Sequence, residues 1–577
     1  MFSMYDKIEN NVYEIRSTAF TVRDATFGFI TRPLMHAPFV HQGKWGTVTL
    51  HLSSCKGAAE TTPPDSYMQL VPVHHGEEIA FAMEMKAEEL ILHTAYGDIR
   101  CCFAEPGLLL LKGEGGLGIR FETMLPPHGV IRKRGANSWE RRVSGVSCFV
   151  FNAISGRMEM NAKWELERLC TPYVRGELIP EEDGTFLLSI DETEELGRER
   201  DSYPSYEEGL AAVTEDWKGF CAKLPGKEDK NKEKAAFMLW SMWERPSGRL
   251  NRRILHSTFP KAAPAWRACL MTAVFSENLP LAADILLGQL DQQAESGQIP
   301  NFFDHYNCDT LNAGPPLQGW AIKQLMKKND LKTALPEEDL RRLYEGYAKW
   351  AAWFDAYRDD DGDGLVQTEG VLEAGCTDSP IFSRASIIEL PDINAELALL
   401  EEVIGDLAGM LDLAEEKEAW HAKSRERVSK VLEAFWNGER FVGRDHETKE
   451  PIATASLQFF RPLILGERLP ADVIDKMAED LAFANGFLTP CGLISQHMAC
   501  SDFSRLSVDA GSILSWDNIL IATGLLDAGK TELAKEAAAA YLGGVVQPAS
   551  PFYNTAPGFD SAETAAAYLL LQELAEE

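Results

Sequence analysis

From about residue 233 to the last residue, apolar side chains recur at intervals of three and four, and the stretches that carry this period are joined by connections of two very different lengths. In DINAELALLEEVIGDLAGMLD, Ile393, Leu397, Leu400, Ile404, Leu407 and Leu411 share one face, and Asp392 reads as an N-cap. Twelve segments of this kind begin near Glu233, Ala265, Leu281, Pro315, Pro336, Asp392, Leu413, Thr454, Pro470, Ser512, Thr531 and Ala562. After the even-numbered segments the connection takes about 2 to 9 residues; after the odd-numbered ones it takes about 18 to 35, beyond ordinary loop lengths. Antiparallel helices joined in this way gather every long loop at one end. Closed in pairs they make an (α/α)6 barrel, and a site belongs at the long-loop end. An open array of helix pairs is the alternative, but no fixed-period repeat supports it.

Upstream of about residue 215 the period is two. In EEIAFAMEM, Ile79, Phe81, Met83 and Met85 fall on one side, and GTVTLHL, GLLLLKG, GIRFETM, SCFVFNA and GTFLLSI are further strand candidates between Gly and Pro punctuation. Many short strands with few helical runs predict an antiparallel β-sandwich. The charged stretch LPGKEDKNKEK reads as the linker. The expected organisation is multidomain: a sandwich over 1–223, a linker over 224–234 and a barrel over 235–577.

The formal net charge of −32 argues against a nucleic-acid surface, which needs a basic stripe. The first residues carry no basic segment followed by an apolar run, and no apolar stretch reaches membrane-spanning length, so a cytoplasmic protein without a membrane partner is expected. Eleven cysteines with no C-x-x-C pair fit reduced, buried thiols. A homodimer is left open.

The long connections hold the polar chemistry. The first supplies Arg253 and His256, and Trp266 and Arg267 open the helix after it. The second supplies Asp304, His305, Tyr306, Asp309 and Asn312; the third, Glu373 and Asp378; the fifth, Gln496, His497 and Asp502, followed by Trp516 and Asp517; the last, Tyr553, Asn554, Asp560 and Glu563. Aromatic rings stack on the faces of a pyranose and carboxylates take its hydroxyls, so a small carbohydrate is the expected partner, and two carboxyls across a glycosidic bond can protonate and hydrolyse it. No cofactor is required. Asp359, Asp361 and Asp363 with Gly364 open like a calcium loop, but the twelfth position is Gly370 with Glu369 one short, so bound calcium and a capped solvated turn both stay open. His74 and His75 are either a loop lent to the site or surface residues.

Four segments in order resemble the trehalase and glycoside hydrolase family 63 group: GQIPN…NAGPPLQGWAI, RDDDGDGLVQ…EAGCTDSP, GFLTPCGL and SILSWDNILIATGLLDAG. The resemblance spans most of the helical half and implies inverting hydrolysis. Its general acid is the Asp of E-S-G-x-D, and its base is a Glu in the last long loop. Here the motif's Glu is Glu373 and its Asp is Thr377, with Asp378 immediately after. Asp378 is therefore expected as the acid, with Glu373 or Asp560 positioning or activating water. The family's Trp-Asp pair is Trp266–Arg267 here, and a guanidinium in that place implies an anionic or modified substrate. The alternatives are a uronate-type lyase or epimerase using His256, His305, His497, Tyr306 or Tyr553 with Arg253 and Arg267, and a sugar binder that has lost catalysis.

Overall fold

A computed structural model of the chain describes residues 19–33, 48–54, 68–143, 147–193, 200–258, 265–305, 307–452, 454–482, 486–546, 559 and 561–576. Period-two alternation becomes two antiparallel sheets. One runs in the order Phe27–Pro33, Val48–Ser54, Met68–His74, Leu117–Met124, Tyr173–Ile179, Arg157–Ala162, with Glu77–Glu78 paired to Met68–His74. The other runs Val130–Lys133, Ser138–Val143, Ser147–Ser155, Phe186–Thr193, Leu108–Gly113, Asp98–Glu105, Leu90–Thr94, Phe81–Met85. Aromatic rings close the space between them: Phe27 lies 5.1 Å from Phe103 and 5.3 Å from Phe149, and Phe121 lies 5.5 Å from Phe151. Ile79, Phe81 and Met83 pack against this core and Met85 is buried in it, while Ala82 is exposed. Gly113 faces Phe186 across the ladder, and a Cβ on Gly113 would meet that ring at 2.1 Å, so the ring needs a glycine there. His74 and His75 sit at a sandwich hairpin, where His75 has a φ of 50° and His74 stacks on Tyr96 at 3.8 Å.

Helix α1 (Tyr206–Cys221) follows the strands and was not foreseen. Ser205 and Glu208 form a capping box at its start, and Tyr206 packs with Cys102, Leu108 and Leu110 on the outer face of the second sheet. The neighbouring Cys101 points the other way into the sandwich core, as alternation requires. The ten described cysteines are free thiols.

The expected linker is shorter than the charged stretch. Asp229 caps α2 (Lys230–Ser241) by accepting from the backbone of Asn231 and Lys232, so residues 230–234 already belong to the helix. Lys232 then turns its ammonium back onto the carbonyls of Leu224 and Gly226 at 3.0 and 2.9 Å. Charge in this stretch fastens the turn; it does not mark loose chain.

The barrel consists of α2, α3 (Ala265–Thr272), α4 (Leu279–Asp291), α5 (Gln318–Lys328), a short α6 (Leu331–Ala334), α7 (Glu337–Tyr357), α8 (Pro391–Met410), α9 (Ala414–Phe435), a 3-10 stretch over Leu457–Arg468, α10 (Ala471–Leu481), α11 (Ser515–Asp527), α12 (Thr531–Val546) and α13 (Ala562–Glu576). The inner ring closes through α3, α5, α8, the 3-10 stretch, α11, α13 and back to α3. Every long connection leads from an outer helix into an inner one, so the inner helices present their N-termini at the long-loop end.

Helix α8 departs from its one-faced reading. Its other face is buried too, because α7, α9, α5 and the 3-10 stretch surround it. Its polar residues are satisfied or clustered there: Glu401 takes three bonds of 2.8–3.1 Å from Arg427, and Asn394 accepts from the Val366 amide at 2.8 Å. Asp392 is not the N-cap, which is Leu390; it lies in the first helical turn, fully buried. Among the described residues no helix is long and apolar enough to cross a membrane.

Candidate active site

The helix N-termini at the mouth carry partial positive charge, which favours carboxylates there. Five inner elements bring polar or aromatic residues in their first two turns: Trp266 and Arg267 on α3, Asp392 and Glu396 on α8, Gln458 and Arg461 on the 3-10 stretch, Trp516 and Asp517 on α11, and Glu563 on α13. The guanidinium of Arg267 lies 5.1 Å from the Trp266 ring and 4.6 Å from the Trp516 ring, and the two indoles meet edge-on at 5.8 Å. Its Nη1 is 3.9 Å from Oε1 of Glu563, which also accepts from the Ser257 hydroxyl. This is a cation held on two aromatic faces beside a carboxylate.

Gly375 lets the third loop reach this platform. It has a φ of 66°, and a Cβ there would meet Pro315 at 2.8 Å and the Trp266 ring at 3.3 Å. The second loop is tied in by the Ala265 amide, which donates to the Asn301 carbonyl at 2.8 Å. Several buried polar atoms at these elements have no hydrogen-bond partner among the described residues: Nε of Arg267, Nε1 of Trp516, Oε2 of Glu563, Oδ1 of Asn301 and both amide atoms of Gln496. Donors and acceptors are mixed, as the hydroxyls of a sugar require.

Behind the platform lies a buried ion cluster. Arg461 donates to Asp517 at 2.8 Å and to Asp392 at 3.3 Å, and Gln458 donates to Asp392 at 2.8 Å. Burial opposes the charge on Arg461, but Asp517 and Asp392 outweigh it and raise its pKa. Glu396, one turn along from Asp392, is 1% exposed and has no partner for either carboxyl oxygen among the described residues. Burial first, and then the Asp392 charge, push its pKa well above the usual carboxylate range.

The residues expected to do catalysis are placed differently. The exposed Asp378 accepts from the Ser507 hydroxyl at 3.0 Å and from the amides of Val508 and Asp509 at 3.1 and 2.8 Å. Partial burial raises its pKa, but these donors outweigh it and the net direction is down. A committed, ionised carboxylate is the reverse of what a proton donor needs. Glu373 is buried and gripped by Arg358 through bonds of 2.6, 3.0 and 3.2 Å, with a fourth from the Glu369 amide at 2.9 Å, so it braces the third loop. Asp304 caps its own turn by accepting from Asn307. His305 joins Ser247 at 2.6 Å in a separate buried cluster with Glu244, to which His256 is bonded at 2.8 Å. Arg253 pairs with Asp24 of the sandwich, both contacts 3.0 Å, and so fastens the two domains. His497 packs edge-on to Phe487 at 5.3 Å. Tyr306, Tyr553, Asn554 and Asp560 lie outside the described residues.

The acidic loop of the third connection is neutralised from the neighbouring strand. Lys449 pairs with Asp361 and Glu389, and Arg444 with Asp363 and Glu389, while Glu369 lies 3.6 Å from Arg358. Two cations thus stand among the carboxylates that a calcium loop would offer.

Sequence reasoning missed Asp509, Arg461 and Glu396. Asp509 is 5% exposed, and its Oδ2 accepts from the backbone amides of Thr377 and Asp378, the latter at 2.8 Å. Burial raises its pKa, those two amides oppose the rise, and the Asp517 charge adds to it. Arg461 had a signal, a single charge inside the apolar run LQFFRPLIL. A lone Asp in SVDAGS had none.

Residues 278–553 match the family profile described as a mannosylglycerate hydrolase MGH1-like glycoside hydrolase domain. The structure of the GH63 mannosylglycerate hydrolase from Thermus thermophilus with glucose is similar at a TM-score of 0.50 and 18% identity, over 60% of this chain and 99% of that one. The same enzyme with Tris gives 0.50 and 19% over 59% and 99%. A bacterial glucoamylase complexed with acarbose gives 0.59 and 10% over 98% of this chain and 95% of that one. At such identities the likeness is one of fold, over about three fifths of this chain in the first two and nearly all of it in the third. No curated protein matches the chain in sequence. Over residues 278–553, then, this chain is similar to glycoside hydrolase domains of the mannosylglycerate hydrolase MGH1-like kind.

Proposed function

We propose that the chain hydrolyses the O-glycosidic bond of a small anionic glycoside at the long-loop end of the barrel, with inversion. The observation that carries this reading is Arg267, stacked on Trp266 and Trp516 beside Glu563. The indoles offer faces for a pyranose, and the guanidinium offers a fork for a carboxylate or phosphate. The Thermus relatives are named for hydrolysing a sugar joined to glycerate, an acid of the kind this cation would hold. Glu563 activates the water. It stands in the first turn of α13, and its Oε2 is unpartnered among the described residues.

The test is a panel of small glycosides with neutral, carboxylate and phosphate aglycones, read by release of reducing sugar, with the product anomer followed by NMR. Release confined to anionic members, with the anomeric configuration inverted, supports the reading. Release from neutral members alone, or a retained configuration, rejects it.

A further inference from the structure

The two oxygens of Glu563 have different surroundings, and the first long connection sets the difference. After α2 the chain turns back on itself, with Ile254 and Leu255 paired to Glu244 and Trp243. The next residue is pinned twice: the His256 amide donates to the Met242 carbonyl at 3.1 Å, and its fully buried ring is bonded to Glu244 at 2.8 Å. Ser257 is thereby delivered to the start of α13 and engages it at two points. Its carbonyl accepts from the Ala562 amide at 2.8 Å, and its hydroxyl donates to Oε1 of Glu563. Both residues are buried, where a bond from a hydroxyl to a carboxylate is strong.

Oε1 takes the Ser257 hydroxyl and lies 3.9 Å from Nη1 of Arg267, whose guanidinium stacks on the Trp516 and Trp266 rings at 4.6 and 5.1 Å. Oε2 has no hydrogen-bond partner among the described residues. A carboxylate free to turn beside a guanidinium closes into a two-bond ion pair, which here would occupy both oxygens and the fork that the substrate anion needs. At 3.9 Å that pair is not closed. We infer that Ser257 is a positioning residue for this site: by holding Oε1 it keeps Glu563 from closing on Arg267 and leaves Oε2 to take the proton of the attacking water. This rests on the hydrolase reading above. In the step, the water oxygen adds to C1 as the C1–O bond to the aglycone breaks with its electron pair. The water proton passes to Oε2 and from there through solvent to the departing oxygen.

Ser257→Ala removes the hydroxyl but keeps the main-chain carbonyl that anchors Ala562, so it isolates the bond to Glu563. The effect is read as a partition between two products, from which a reduced folded fraction cancels. Wild type, Ser257→Ala, Ser257→Thr and Glu563→Ala are each given azide and the glycoside of a carboxyl-substituted nitrophenol, which keeps an anionic aglycone and needs no proton to depart. Azide attacks C1 without a base and water needs one, so the ratio of glycosyl azide to free sugar reports on the base. Ser257→Ala is expected to raise that ratio about 10- to 10²-fold over wild type, the equivalent of one hydrogen bond to a charged group. Ser257→Thr, which keeps the hydroxyl, is expected to stay near wild type, and Glu563→Ala to rise at least as far as Ser257→Ala. A wild-type ratio in Ser257→Ala beside a raised one in Glu563→Ala overturns the role of Ser257 and leaves Glu563 as the base. A ratio raised equally in Ser257→Thr overturns it too, since the hydroxyl is then not what acts. An unchanged ratio in Glu563→Ala removes the base named above and Ser257 with it, and if wild type releases no sugar the hydrolase reading itself falls.

Discussion

Asp378 and Asp509 each bind the other's backbone: the Asp378 carboxylate accepts from the Asp509 amide at 2.8 Å, and the Asp509 carboxylate accepts from the Asp378 amide at 2.8 Å. Two loops separated by 131 positions in sequence are latched by this exchange. Because Asp378 also holds Ser507 and Val508, its removal should release a whole segment of the fifth loop. Asp378→Ala is expected to cost about 1–2 kcal/mol, of the order measured when a capping carboxylate is lost, and urea melts will show it. An unchanged midpoint would mean that the latch bears no load.

Arg461 is the counter-charge for the buried acids behind the platform. Removing one partner of a buried pair leaves the others uncompensated, which typically costs about 3–5 kcal/mol. Arg461→Ala should therefore lose that much, and Arg461→Met combined with Asp392→Asn and Asp517→Asn should recover a large part of it. Chemical denaturation of these variants beside wild type checks this. A single variant within about 1 kcal/mol of wild type would contradict the charge arrangement.

At the opposite, short-loop end, Glu402 on α8 joins Arg468 and Lys323, the latter at 2.8 Å. Burial raises its pKa, but those two cations lower it further, from 4.5 to about 2. The folded value is depressed, so the stabilisation is present above pH 4.5 and is lost as pH falls through 2. A shift of this size is worth on the order of 3 kcal/mol. Glu402→Gln should be destabilised by roughly that amount at pH 7, and the gap from wild type should close as pH falls from 4.5 towards 2. A gap that stays constant with pH would contradict the ionic origin.

Lys449 and Arg444 already neutralise the Asp361, Asp363 and Glu389 group. The thermal midpoint should accordingly be the same in millimolar calcium and in chelator. A rise of several degrees with calcium would show that the metal displaces Lys449.

The sequence made the architecture legible because burial imposes it. Loop lengths and a three-four period revealed the helix pairs, and alternation at Phe81, Met83 and Met85 revealed the sandwich, since both patterns record which side faces a core. The platform residues Trp266, Arg267, Trp516 and Asp517 were legible for a related reason, as aromatic and charged groups at helix starts beside long loops. Roles inside the loops were not. Glu373 and Asp378 occupy a motif but are spent on Arg358 and on the Ser507–Asp509 segment, which no local pattern foretells. Asp509 gains its position from a partner 131 residues away. The acidic run was ambiguous because Lys449, its counter-charge, comes from a later connection.

The central claim is that the Arg267 platform is the sugar site of a hydrolase. The most direct measurement is the rate of reducing-sugar release from the best anionic glycoside by wild type, Trp266→Ala and Arg267→Met, with folding checked by near-ultraviolet circular dichroism. The account predicts turnover by wild type, a rise in KM on the order of 10-fold or more for Arg267→Met as one charge-assisted contact is lost, and a fall in kcat/KM for Trp266→Ala. Wild-type turnover that both folded variants retain in full would place the chemistry elsewhere and contradict it.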